Sequence, residues 1–415
     1  MSTLNFALVN NTGSDTAYAY ITGLAIDNNN ALFLLQSDGK TAYYPTSPSS
    51  TITALAENCA ISLGASGTTT TVTIPHLAGA RLWFSRGATL SFYLNPGPAL
   101  VEPSSSNPSD ANYNVYWDFC EFTWNSAELF VNISMVDFFC LPIALALENT
   151  SGTTQTVEGL PSGALDTVCS ALKTQNNTDG AGWDQLIITT GGANLRAVSP
   201  NTGITLNSSL FSTYFDSYVD QVWSKYTSET LTVDTQAAAG SLTATVSNGT
   251  LNFSSGSITY AQPTSAAIFS NSSGSFAVSG DSTKDAITAR LAAAFNRSTL
   301  LIDTNQPDGE VVSKYYSNSI TNHYARICHA TALDGRGYAF PYDDVGPSGG
   351  VDQSGSVSDG SPKLLTVTVG GPLSSNSAKG TTSKKTATKP SSQVNQKQGV
   401  LRNLKKLVRR LSRSK

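Results

Sequence analysis

Residues 113–147 read YNVYWDFCEFTWNSAELFVNISMVDFFCLPIALAL, the densest aromatic and apolar stretch of this 415-residue chain. Two strands are predicted, 113–124 and 128–133, joined at Asn125–Ser126. Val131 and Ile133 alternate with Phe130 and Asn132, the period-two pattern of a strand with one face in a core. Similar short segments precede the stretch at 4–9, 18–24, 31–35 and 70–74, and two more lie within 79–92, broken at Arg86–Gly87. Thr70, Thr71, Val72, Thr73 and Ile74 are all β-branched, as strands prefer. Many short strands with frequent turns predict a sandwich or barrel.

Beyond residue 151 the periodicity changes. A helical stripe covers 165–172. A longer one runs through Phe211, Tyr214, Phe215, Tyr218, Val219, Val222, Trp223 and Tyr226, with Asn207 or Ser208 as its cap. A third helix is predicted over 283–297, with Ser282 and Asp285 forming a capping box, and a fourth over 318–330. Residues 242–260 alternate like a hairpin turning at Asn248–Gly249. Strand and turn character returns at 338–346 and 364–369. The predicted fold is therefore mainly β with an α/β part. A β domain is expected over 1–150 and 335–370, with a mixed α/β domain, 151–334, inserted between.

Residues 371–415 carry twelve Lys or Arg and no acid, leaving thirteen basic against 29 acidic groups in the body. An acidic body disfavours a nucleic-acid partner, whose phosphates supply much of the affinity. Residues 371–398 have too little apolar content to fold. Val400, Leu401, Leu404, Leu407, Val408 and Leu411 then recur at helical spacing among basic residues. That end is suited to weak contact with an anionic membrane or a partner, although a solvated tail is the plainer reading. No apolar run reaches 18 residues, so no spanning segment is expected. The N-terminus MSTLNFALVNNTG lacks the basic and apolar regions of a secretory leader, and none is expected. The five cysteines contain no close CxxC pair and allow one or two disulfides, with at least one thiol left over. With three histidines, and six positions between His323 and His329, a metal role is not expected.

The chemistry concentrates in the opening stretch. Its acids are Asp118, Glu121, Glu128 and Asp137. Glu121, Thr123 and Asn125 are predicted to share one strand face, an acid, a hydroxyl and an amide within aromatic surroundings. The aromatic neighbours of Glu121 are expected to disfavour its charged form. Asp137 has apolar neighbours, Val136 and Phe138, and a carboxylate so placed is paired or functional. Hydrolysis of a glycosidic bond needs such a carboxyl pair, one holding a proton and one ionised. Glu121 on a solvated strand face and Asp137 capping a turn are the plainer readings. Composition does not choose between hydrolase, lectin and structural β protein.

Residues 117–147 resemble the catalytic segment of glycoside hydrolase family 64, β-1,3-glucanases that include laminaripentaose-producing enzymes. The similarity rests on the Glu-Phe-Thr run, and on the Val-Asn and Val-Asp runs, with the acids sixteen positions apart. It extends from Phe6 to about Gly370. The 337–344 run, GYAFPYDD, is similar to the closing segment of thaumatin-like proteins. The resemblance implies a thaumatin-like β-sandwich or barrel, a mixed domain and a wide groove between them. It implies an inverting enzyme that acts on β-1,3-glucan or laminari-oligosaccharides and needs no cofactor; a monomer is expected. Glu121 matches the general acid and Asp137 the general base. Thr123, Asn125, Phe130 and Ser134 match sugar-contacting positions, Phe130 replacing a tryptophan and Ser134 a threonine. Members are usually secreted, which leaves the compartment open. A glucan-binding thaumatin-like protein without turnover is the competing reading.

Overall fold

The computed structural model describes residues 2–255 and 257–372. The basic tail and its amphipathic end, expected over 371–415, lie outside these residues from 373 onward. Two large sheets carry the β-rich part. The first runs in the order Thr154–Val157, Ile143–Asn149, Pro362–Val369, Leu4–Asn10, Thr69–Ile74. The late strand Pro362–Val369 is parallel to Leu4–Asn10 and antiparallel to Ile143–Asn149. The first and last described strands are thus neighbours.

The second sheet has Ser356–Asp359 at one edge, then Leu129–Ile133, Tyr116–Trp124, Leu77–Arg86, Ala17–Ala25, Ala31–Leu35 and Ala42–Tyr43. Alternation sets its two faces. Phe122 meets Phe6 of the first sheet edge to face, ring centroids 5.2 Å apart. Val131, Ile133 and Cys120 are buried with them in the core. The other face therefore carries Trp117, Phe119, Glu121 and Thr123. Leu77–Arg86 is one ten-residue strand, where two had been expected before residue 92. Its break does fall at Arg86, where the chain bends at Gly87.

The middle of the chain is mixed, with helices Ala164–Asp179, Asp216–Lys225, Ser282–Arg297 and His323–Thr331. A five-stranded sheet includes the expected hairpin, Ser241–Ser247 and Thr250–Phe253. Asn248 and Gly249 turn it with φ of 52° and 76°, the left-handed pair a two-residue hairpin requires. The helix expected from Phe211 starts only at Asp216. Phe211 stands at φ 58° and packs on Trp183 and Phe269, at 4.5 and 5.2 Å between centroids. Tight turns also present side chains about every third residue, and tertiary packing holds these in place of a helical turn.

The cap of Ser282–Arg297 is Asp281, not the Ser282 of a capping box; its carboxylate accepts from the amides of Thr283 and Lys284. Asp281→Ala is expected to cost about 1 kcal/mol of stability, read from the denaturant midpoint. No change would show those amides to be equally well served by water. All five cysteines are buried and free, so the disulfides allowed by their number do not form. Burial pushes the thiols of Cys59, Cys140 and Cys169 up to about 12, which leaves them unreactive. No helix of the described residues is long and apolar enough to cross a membrane.

Candidate active site

Glu121 lies in the central strand Tyr116–Trp124, opposite Asn132 on one neighbour and Arg81 on the other. Directly opposed residues share a face, so these three side chains meet on the side away from the Phe6–Phe122 core. The Arg81 Nε donates to Glu121 Oε1 at 3.3 Å, and its NH1 donates to Glu102 Oε2 at 2.6 Å. The guanidinium also lies over the rings of Phe119 and Trp83, 4.7 and 5.4 Å from their centroids. What meets the Glu121 carboxylate is a cation. Its sequence neighbours Cys120 and Phe122 point into the core instead, because adjacent strand residues face opposite ways. Of its aromatic neighbours in sequence, Phe119 shares its face and packs on that same guanidinium.

Asp137 is exposed. It sits where the chain leaves the second sheet for the short strand Phe138–Phe139, which pairs with Ala193–Val198. Its carbonyl accepts from the Ser199 amide at 2.9 Å and from the Thr202 hydroxyl at 2.9 Å. The next ring, Phe138, packs on Trp117 at 4.6 Å and near Phe119 at 6.2 Å. Burial alone would lower the Arg81 pKa, but the charges of Glu102, Glu121 and Asp137 raise it above the usual arginine value. One guanidinium thus feels three carboxylates.

Asp118, on the core side of the same strand, has another task. Its carboxylate accepts from the amides of Phe119, Cys140 and Leu141 at 2.8, 2.8 and 3.0 Å. These bonds fasten the segment after Asp137 to the central strand. Burial pushes this carboxyl up to about 7, against the pull of those amides and of Arg196.

The remaining expected positions divide. Thr123 faces the same side as Glu121 and stands opposite Phe130, which is half-buried. Thr123 itself is buried, its hydroxyl accepting from the Gly79 amide at 3.4 Å. Ser134 is buried and borders a small internal void with Asp118, Leu141 and Leu160. Asn125 does not continue the strand face: the strand ends at Trp124. Its Oδ1 instead accepts from the amides of Ala127 and Glu128 and shapes the turn.

Arg81 and Glu102 were not legible as neighbours of Glu121, since the contacts of Arg81 with Glu121 and Glu102 span 40 and 21 positions; Asn132, in the quoted Val-Asn run, stands opposite Glu121 across the hairpin. Tyr338 was quoted only within the closing run. Burial raises its phenol well above the usual range, reinforced by Asp344 and Glu121. Among the described residues, no group of three or more His, Cys, Asp or Glu is placed to hold a metal. A cavity of about 400 Å³ lies at the Tyr116 end of the central strand, between Arg86, Tyr116, Asp166 and Asn194; neither Glu121 nor Asp137 lines it.

The chain is 28% identical over 300 residues to glucan endo-1,3-β-glucosidases of Cellulosimicrobium cellulans and of Arthrobacter sp. (strain YCWD3). These matches take in 71% of this chain but 52% of each relative, so the chain spans about half the length of the curated relatives it matches. A laminaripentaose-producing β-1,3-glucanase solved with laminaritetraose superposes with a TM-score of 0.78 at 32% identity, covering 89% of this chain and 98% of that one. The β-1,3-glucanase domain from Clostridium beijerinckii shares the fold, with a TM-score of 0.69 at 22% identity, covering 88% and 98%. The glycoside hydrolase family 64 profile, described as β-1,3-glucanase, matches residues 2–369, and the chain belongs to that family.

Proposed function

We propose that this protein hydrolyses β-1,3-glucosidic bonds in laminarin- or curdlan-type glucan with inversion. Glu121 is the general acid and Asp137 the general base. The observation that supports this reading is the Glu121–Arg81 ion pair on the face away from the core, with the charge of Asp137 also acting on that guanidinium. The glucan lies along that face. Glu121 gives its proton to the bridging oxygen as the C–O bond breaks. Asp137 takes a proton from a water attacking the opposite side of the sugar. The resulting acid and base exchange protons with solvent between turnovers. Phe130 offers an apolar platform with Thr123 opposite it on the Glu121 face, while Asn125 acts through the turn it holds and Ser134 from beneath the surface.

Endo cleavage, and release of laminaripentaose, are the product choices suggested by the relatives. The β-rich part, 1–150 with 335–370, is a thaumatin-like sandwich or barrel in this reading, and 151–334 is inserted in it. The pairing of Pro362–Val369 with Leu4–Asn10 supports that division. The working form is a monomer.

Incubation with linear β-1,3-glucan should produce new reducing ends and a narrow oligosaccharide size class. Proton NMR during turnover should show the α-anomer first, because inversion converts a β-linkage to an α-product. Initial β-anomer would mean a covalent intermediate and overturn the assigned roles. Binding without new reducing ends would make the protein a glucan-binding one.

A further inference from the structure

Glu102 has no part in the reaction described above, yet it makes the closer contact with Arg81. Its carboxylate stands 2.6 Å from NH1, against 3.3 Å between Nε and Glu121. It follows the short strand Ala99–Val101 and is about one-third exposed. That strand belongs to a small three-stranded sheet with Tyr93–Asn95 and Thr53–Ala54, whereas Glu121 lies in the central strand of the second large sheet. Arg81 therefore joins carboxylates from two separate elements.

This arrangement matters because a general acid must hold its proton when the leaving group departs. A half-buried guanidinium with one carboxylate partner opposes that, since protonating the partner leaves the cation uncompensated. With two carboxylates the cost is smaller: when Glu121 takes up a proton, Arg81 keeps an ion pair with Glu102. Arg81 is also packed against Phe119 and Trp83, which restricts its movement away from Glu121. The other charged or titratable groups acting here are Asp137, through its effect on Arg81, and Tyr338 with Asp344 from the closing segment. Asp118 and Cys120 belong to the same strand but face the core.

We propose that Glu102 is a positioning residue for the catalytic acid: it holds the Arg81 guanidinium through NH1 and keeps that cation compensated while Glu121 carries its proton. This rests on the assignment of Glu121 as the acid. Glu102 need not touch the sugar.

The test is the pH–rate profile of Glu102→Gln on laminari-oligosaccharides, with Glu102→Asp and Glu121→Gln beside it. Without the Glu102 charge, Arg81 bears fully on Glu121 and favours loss of its proton. The alkaline limb of Glu102→Gln should move acidward by about one pH unit, so the rate on that limb falls about tenfold. KM should keep its parent value, and Glu102→Asp should return the limb toward the parent position. An unmoved limb, a loss of equal size at every pH, or a raised KM alone would overturn the proposal; the last would mark a sugar contact. A Glu102→Gln protein that does not fold leaves the decision to Glu102→Asp: its shorter side chain loosens the contact, so its limb should still lie acidward of the parent. A Glu121→Gln enzyme with full activity would instead overturn the assignment of the acid itself.

Discussion

Glu121→Gln is expected to lower kcat at least about a hundredfold, and Asp137→Asn to lower it as much, because positioned proton transfer is worth about a hundredfold to ten-thousandfold. Both variants should fold. A glutamine at 121 still offers an oxygen to Arg81. Asp137 is exposed, and the bonds from Ser199 and Thr202 reach its carbonyl, which the substitution leaves in place. Oligosaccharide binding should persist in both, as the aromatic and hydroxyl surfaces are unchanged. The parent should show a bell-shaped pH–rate curve whose limbs report the ionised base and the protonated acid. Asp137→Ala supplied with azide should form the α-glycosyl azide, the anion taking the water's place. Full activity in either isosteric variant would remove that residue from the pair.

Arg297→Met is expected to cost about 3–5 kcal/mol of stability, the usual effect of breaking a buried ion pair from one side. Arg297, Asp343 and Glu310 are all essentially inaccessible. Arg297 NH2 bonds Asp343 Oδ1 at 3.0 Å, its NH1 lies 3.7 Å from Glu310, and it also donates to the Val345 carbonyl. Methionine fills similar space but leaves the buried Glu310 without its cation and Asp343 with His329 alone. A loss under about 1 kcal/mol in urea unfolding would show the network to be dispensable.

The same network makes stability depend on pH. His329 has Gly335 O at 2.9 Å from Nδ1 and Asp343 Oδ2 at 2.8 Å from Nε2, two acceptors that only the imidazolium satisfies together. Burial alone would lower the His329 pKa, but the Asp343 charge and hydrogen bond raise it above 6.5. Its contribution is therefore complete below about pH 6.5 and is lost as pH rises through the raised folded value. The urea midpoint should fall over that interval, and His329→Asn should flatten the fall.

The hairpin of Tyr116–Trp124 and Leu129–Ile133 was legible because alternation is local: Val131 and Ile133 reach the core whatever the rest of the chain does. The Asn248–Gly249 turn was legible for a similar reason, since its left-handed pair suits those residue types. Local patterns misled where packing from afar decided the outcome. The apolar spacing from Phe211 looks helical, yet Trp183 and Phe269 draw Phe211 into a left-handed turn. Ser282 matches a capping signature one residue beyond the side chain that caps the helix. The interior helix Ser282–Arg297 is buried from Ala286 to its end, and its two arginines there depend on partners such as Gln236 and Asp343, which the helix itself does not contain.

For the site, the sequence by itself determined that Glu121 and Thr123 share a strand face and that Asp137 follows the next strand. Those consequences come from a two-residue period and a short turn. Only the tertiary structure decided what the carboxylates meet. Arg81 reaches Glu121 across a strand pair and Glu102 from another sheet, while residues 199–202 and the Asp118 carboxylate fix the segment around Asp137. The physical reason is range: side-chain direction is set by the local backbone, whereas a carboxylate's charge environment is set by whichever groups the fold brings within a few ångströms.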